Sequence, residues 1–203
     1  PLYILLGAIQ YLQANLERSF NLPVFNDYTI YPNSIILFSA VLFATLLIYI
    51  REGAASSRTL LFGIIISNII MTLIFEITYI QQIIDIQINN IPDYSVNLVK
   101  VNTKYFLSGT LILILDFVLL AIIFQYLVEK VNKLPFFLTL FIPLFSILIF
   151  DALIYNLVLF YGSPTFAKSL ISHLIGKSIS ALIFSVILYF YLKYFDNTTT
   201  TTP

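Results

Sequence analysis

Four ionisable side chains stand inside long apolar runs of this 203-residue sequence: Glu76, Asp116, Asp151 and Lys177. His173, the single histidine, precedes Lys177 by one helical turn. A charged side chain at the centre of a membrane helix costs roughly 2.5 to 3.5 kcal/mol on insertion scales, so the set costs on the order of 10 kcal/mol. That is comparable with the whole stability of a typical domain, and something must offset it. Groups of this kind are normally paired, turned inward and functional. The chemistry open to them is charge pairing, capture of a polar solute, or proton movement through a carboxyl group.

Their depths agree. Counted inward from residues 84, 105, 161 and 167, the helix ends that must share one membrane face, the four groups lie roughly 8 to 11 residues in. At 1.5 Å per residue this is about 12 to 17 Å below a common surface, with His173 one turn shallower. Neighbours at helical spacing extend the layer into faces. Asn68, Thr72 and Glu76 recur every fourth position, Tyr155 follows Asp151 at i+4 with Asn156 beyond, and Ser169, His173 and Lys177 form another row. Ser172, Gly176 and Ser180 repeat small residues on a neighbouring stripe, the pattern that lets membrane helices approach closely.

Two readings of this layer stay open. An Asp151–Lys177 pair can simply tie two helices together, since polar contacts in membranes average well under about 1 kcal/mol. Four co-level ionisable groups on four helices instead favour an interior site for a ligand or ion. Glu76, Asp116 and Asp151 against Lys177 leave two excess negative charges if all ionise. That balance favours a ligand with amine- or amidine-like donors, or proton coupling through a carboxyl group.

Other chemistry is set aside. The absence of cysteine excludes disulfides, thiolate metal sites and cysteine nucleophiles. A lone histidine makes a wall residue a better reading than a metal ligand. Gly176-Lys177-Ser178 ends like a phosphate-binding loop, but Ile171 stands where that motif needs glycine. Gly-x-Ser-x-Gly does not occur. No enzyme, catalytic residue, metal or cofactor is expected.

The elements that must position these groups are membrane helices. With 60% hydrophobic and only 10% charged residues, the chain is far from the roughly 25% charge of soluble domains. Apolar segments at 2–16, 33–50, 60–84, 105–128, 134–161 and 167–195 predict an all-α polytopic bundle of about six transmembrane helices over residues 1–195. The first is short and broken by Gln10, Gln13 and Asn15. Connecting stretches are expected at 17–32, 51–59, 85–104, 129–133 and 162–164. Uninterrupted apolar runs at 111–115 and 117–124 speak against a membrane barrel.

Ten basic residues balance ten acidic ones, so nothing points to nucleic acid. With six spans, Arg51, Arg58, Lys130, Lys133 and Lys193 share the side of the termini, against Arg18, Lys100, Lys104 and Lys168, which favours cytoplasmic termini in the cell membrane. The opening Pro1 reads as a truncated or processed start, without the basic region and cleavage site of a signal peptide. The threonine-rich stretch 196–203 has no apolar face and reads as a flexible tail or linker.

Several stretches resemble the vitamin uptake family that includes the queuosine precursor transporters. They are LLGAIQYLQANL at 5–16, YPNSIILFSAVLFATLLIYIREGAASSRTLLFGIIISNI at 31–69, LILDFVLLAIIFQYL at 113–127 and LIFDALIYNLVLFYGSPTFAKSLISHLIGKSISALIF at 148–184. The six-helix plan is similar to the substrate-binding S components of energy-coupling-factor transporters. A related form looks like the membrane sensor module of diguanylate cyclases and histidine kinases. The resemblance implies a pocket for a small, flat, polar molecule, with Asp151, Lys177 and then Asp116 at family-like positions and no counterpart for Glu76.

The combined expectation is an integral membrane protein whose intramembrane pocket serves uptake, lined by Asp116, Asp151, His173 and Lys177 with Glu76, Asn68 and Tyr155. Its partners would be the lipid bilayer, a small-molecule ligand and an energising membrane partner. The competing expectation is the ligand-sensing input module of a signalling protein with a cytoplasmic output domain.

Overall fold

The computed structural model describes residues 22–24, 28–30, 33–89, 103–131 and 134–194. The expected helix at 2–16 and the tail at 196–203 lie outside them. Four helices carry the fold: α1 Phe38–Asn89, α2 Thr103–Lys130, α3 Phe136–Phe160 and α4 Phe166–Tyr194. A π-helical turn, Asn33–Leu37, leads into α1. Before it, strands β1 Leu22–Val24 and β2 Tyr28–Ile30 pair antiparallel, with Leu22 opposite Ile30.

This small strand pair, with β2 packed on α4, corrects the expectation of a plain connection at 17–32. The Tyr28-Thr29-Ile30 run is strand-forming and Asn26-Asp27 is turn-forming in sequence. A second correction concerns 51–59, which is helical apart from a break at Gly53, with φ 86° and ψ 179°. Only glycine adopts that conformation freely, whereas the Ala54-Ala55 pair beyond it favours helix. The expected helices 33–50 and 60–84 are therefore the two arms of α1.

Among the described residues four helices are long and apolar enough to cross a membrane. Twenty-five residues of α3 span about 38 Å, more than the roughly 30 Å hydrocarbon core. Large apolar side chains such as Ile66, Ile77, Leu111, Ile122, Ile179 and Ile183 are exposed on the outer faces. The chain is an integral membrane protein whose outer surface meets lipid.

Inside, α3 packs between α2 and α4 while the first arm of α1 packs on α2 and α4. Val41, Leu42, Leu46, Leu120, Leu140, Leu144, Ile147, Leu188 and Leu192 form the centre of the core. A tight turn joins α3 to α4: Ser163 N–H donates to the Phe160 carbonyl at 2.9 Å and Gly162 takes φ 80°. Phe38 meets Lys177, and Arg51 Nη1 donates to the Tyr191 hydroxyl at 2.8 Å. The first arm of α1 thus runs alongside α4 in the same direction.

The small-residue stripe of α4 is filled by the segment preceding α1. A Cβ at Gly176 would overlap the side chain of Ile35, itself buried. Gly176→Leu is expected to lower stability by about 1–3 kcal/mol through overpacking. Thermal unfolding of the detergent-solubilised protein checks this, and Ile35→Ala in the same chain should recover part of the loss.

Candidate functional site

The site is built where α2, α3 and α4 pass one another below the core. On α4 the i, i+4, i+8 row buries Ser169, His173 and Lys177, and on α3 Asp151, Ala152 and Asn156 turn inward. Lys177 and Asp151 form an ion pair, with side chains only 2% and 6% exposed, so both charges are removed from solvent and lipid alike. The ammonium also lies 5.0 Å from the centroid of the Phe38 ring, where the aromatic face attracts a cation.

Asp116 comes to the same centre from α2. It is 0% exposed, and its carboxylate is in electrostatic range of Lys177. Neither carboxylate oxygen has a hydrogen-bond partner. One lysine thus stands against two acids on two other helices, and the ion pair uses only one of them.

A neutral polar cluster lies one turn nearer the α3–α4 connection. Asn156 Nδ2 donates to the Ala152 carbonyl at 2.7 Å and contacts His173 Nδ1 at 2.8 Å. An amide nitrogen carries no lone pair to offer, so Nδ1 must accept and the imidazole proton sits on Nε2. The Tyr155 ring lies 5.8 Å from the His173 ring at 56°. Asn156 Oδ1 and Ser169 Oγ are buried without hydrogen-bond partners.

The model of the vitamin uptake-like sensors matches residues 1–192, which takes in the whole bundle up to the last turn of α4. The chain belongs to the vitamin uptake-like sensor family. No curated protein and no solved structure matches it. The family is of the uptake or sensor type.

Within this family member the expected site residues divide. Asp151 and Lys177 pair, Asp116 is buried within electrostatic range of Lys177, and His173 and Tyr155 adjoin each other one turn away. Glu76 and Asn68 do not join them. Both are half-buried on the second arm of α1, whose buried residues end at Ile64, about 12 residues or 18 Å along the axis before Glu76. Phe38 was absent from the sequence reading, because an aromatic residue opening an apolar helix gives no spacing signal.

A cleft between α1 and α2 is lined by Thr45, Leu46, Tyr49, Ser57, Phe117, Leu120 and Ala121, with a volume of about 10 Å³. That is near the minimum for one water molecule. Leu120 lies one turn from Asp116 on the same helical face. Among the described residues no three His, Asp or Glu side chains converge as a metal site.

Proposed function

We propose that this domain senses a small polar molecule inside the membrane, using Asp116, Asp151, Lys177, His173 and Tyr155 to recognise it. The observation that carries the reading is Asp116: a fully buried acid within electrostatic range of a lysine that already has a partner, with both oxygens free of hydrogen bonds. A purely structural tie needs Asp151 and Lys177 alone. A second acid at the same level adds desolvation cost without adding a bond, which is the mark of a group kept for a ligand.

The family description, a vitamin uptake-like sensor, supports placing sensing ahead of the uptake expected from the sequence. Sensing requires that a binding event in the bundle alter helices reaching an output domain or partner on the cytoplasmic side. The α4 helix is suited to this, because it carries Lys177 and His173 at the site and Tyr191 at the link to Arg51. Glu76 and Asn68 are left out of the proposed site.

Thermal unfolding of the solubilised protein against a panel of vitamins and deazapurines tests the reading. A true ligand at a hundredfold excess over its Kd stabilises the fold by about 2.7 kcal/mol. Stabilisation without solute accumulation in proteoliposomes is expected for a sensor. Accumulation would favour uptake, and no stabilisation by any member of the panel would contradict intramembrane recognition.

A further inference from the structure

We propose that the cleft between α1 and α2 is a site for one water molecule, which joins the two arms of α1 across the Gly53 break and ties both to α2. It is independent of the sensing site proposed above.

The second arm of α1 needs such a link. Its buried residues are Ser57, Leu60 and Ile64, all within about three turns of the break. At the break itself no side chain packs, since a Cβ at Gly53 would have nothing within 4 Å. The first arm is held by its core residues and by the hydrogen bond from Arg51 to Tyr191. The direction of the second arm is therefore set in the short stretch after Gly53, where Ser57 is the buried polar residue.

The cleft lies at that stretch. Ser57 lines it together with Thr45 and Tyr49 from the first arm and Phe117, Leu120 and Ala121 from α2. Its volume of about 10 Å³ suits one water and nothing larger. Size alone does not decide between a wet and a dry cavity. An apolar void stays dry, whereas a water is held where two to four polar groups can bond it, and here three of the lining residues carry hydroxyl groups.

A donor count supports the water. The Thr45 hydroxyl donates to the Val41 carbonyl at 2.8 Å, and the Tyr49 hydroxyl donates to Gln125 Oε1 at 3.3 Å. Both protons are engaged, so both oxygens are left to accept. A water offers the two protons they need, and its own oxygen accepts the Ser57 hydroxyl proton. Three bonds is the usual number for a buried water. Tyr49 is fixed for this role, because its ring meets Phe124 edge-on at 5.7 Å and Gln125 Nε2 donates in turn to Glu129 Oε1 at 2.7 Å. One molecule thus connects the first arm, the second arm and, through Tyr49 and Gln125, α2.

The test separates a bridging water from a dry void and from tight packing. Ala121→Val places two methyl groups in the cleft of the detergent-solubilised chain. Displacing a bridging water is expected to lower the unfolding temperature by about 2–4 °C, the shift for losing one net hydrogen bond in a chain of this size. In the Thr45→Val background, which conserves shape but removes one anchor of the water, the same change should have less than about half that effect. Radiolytic hydroxyl labelling, which marks side chains beside bound water, should fall severalfold at Tyr49 in Ala121→Val and stay unchanged at the exposed Tyr126. A higher unfolding temperature on filling the cleft would mean a dry cavity, and an equal fall in both backgrounds would mean overpacking. Either result, or unchanged labelling of Tyr49, overturns the proposal. Should Ala121→Val fail to fold, Thr45→Val and Ser57→Ala take its place, singly and together. Non-additive losses are expected of two groups that share one water, and additive losses overturn the proposal.

Discussion

Lys177→Met is expected to be the most damaging single substitution in the bundle, lowering stability by about 3–5 kcal/mol, the range for breaking one side of a buried ion pair. The lysine is 2% exposed, pairs with Asp151, and supplies the positive charge felt by Asp116. Methionine fills a similar volume, so the loss arises from charge rather than from a cavity. It strands Asp151 and removes the positive charge near Asp116. Asp151→Asn should cost distinctly less, because the freed ammonium keeps Asp116 within electrostatic range and Phe38 beneath it. Adding Asp151→Asn to Lys177→Met removes one stranded charge and should recover much of the stability. Unfolding of each variant in one detergent, compared by double-mutant cycle, checks this order. Equal losses for the two single substitutions would show that Asp116 does not share the lysine.

The opposite behaviour is expected of Asp116→Asn. An amide of nearly the same shape replaces a buried acid group that has no hydrogen bond to lose, so stability should stay within about 1 kcal/mol of the wild type or rise above it. Recognition should suffer instead, and any ligand that stabilises the wild type should stabilise this variant far less. A residue whose replacement spares the fold and abolishes the response is kept for function at the expense of stability. Should Asp116→Asn unfold as readily as Lys177→Met, the carboxylate would be a structural member of the cluster.

The convergence of Asp116, Asp151 and Lys177 was legible in the sequence because depth along a membrane helix is set by residue count. Short connections such as the one at Gly162 left little freedom to shift α3 against α4. Glu76 is placed on the second arm of α1, away from those three residues, for a physical reason. Counting from residue 84 takes a helix that ends there and folds into the bundle, whereas α1 continues to Asn89 and has no fully buried residue past Ile64. The helix through 51–59 and its break at Gly53 were not legible, since Arg51, Glu52 and the small residues after them read as a polar connection. The strand pair at 22–24 and 28–30 was hidden by its short strands. The role of Ile35 against Gly176 was half visible: the small-residue stripe announced a close approach, but nothing in its spacing said that a side chain from the turn before α1 would fill it.

The most direct test of the shared charge centre is the coupling energy between Asp116→Asn and Lys177→Met, from the stabilities of the wild type, both single variants and the double variant. If one lysine serves two acids from separate helices, the double variant should be more stable than the sum of the single effects requires, by about 1 kcal/mol or more. Additivity within about 0.5 kcal/mol would mean that Asp116 and Lys177 act independently, and the account of a common recognition centre would fail.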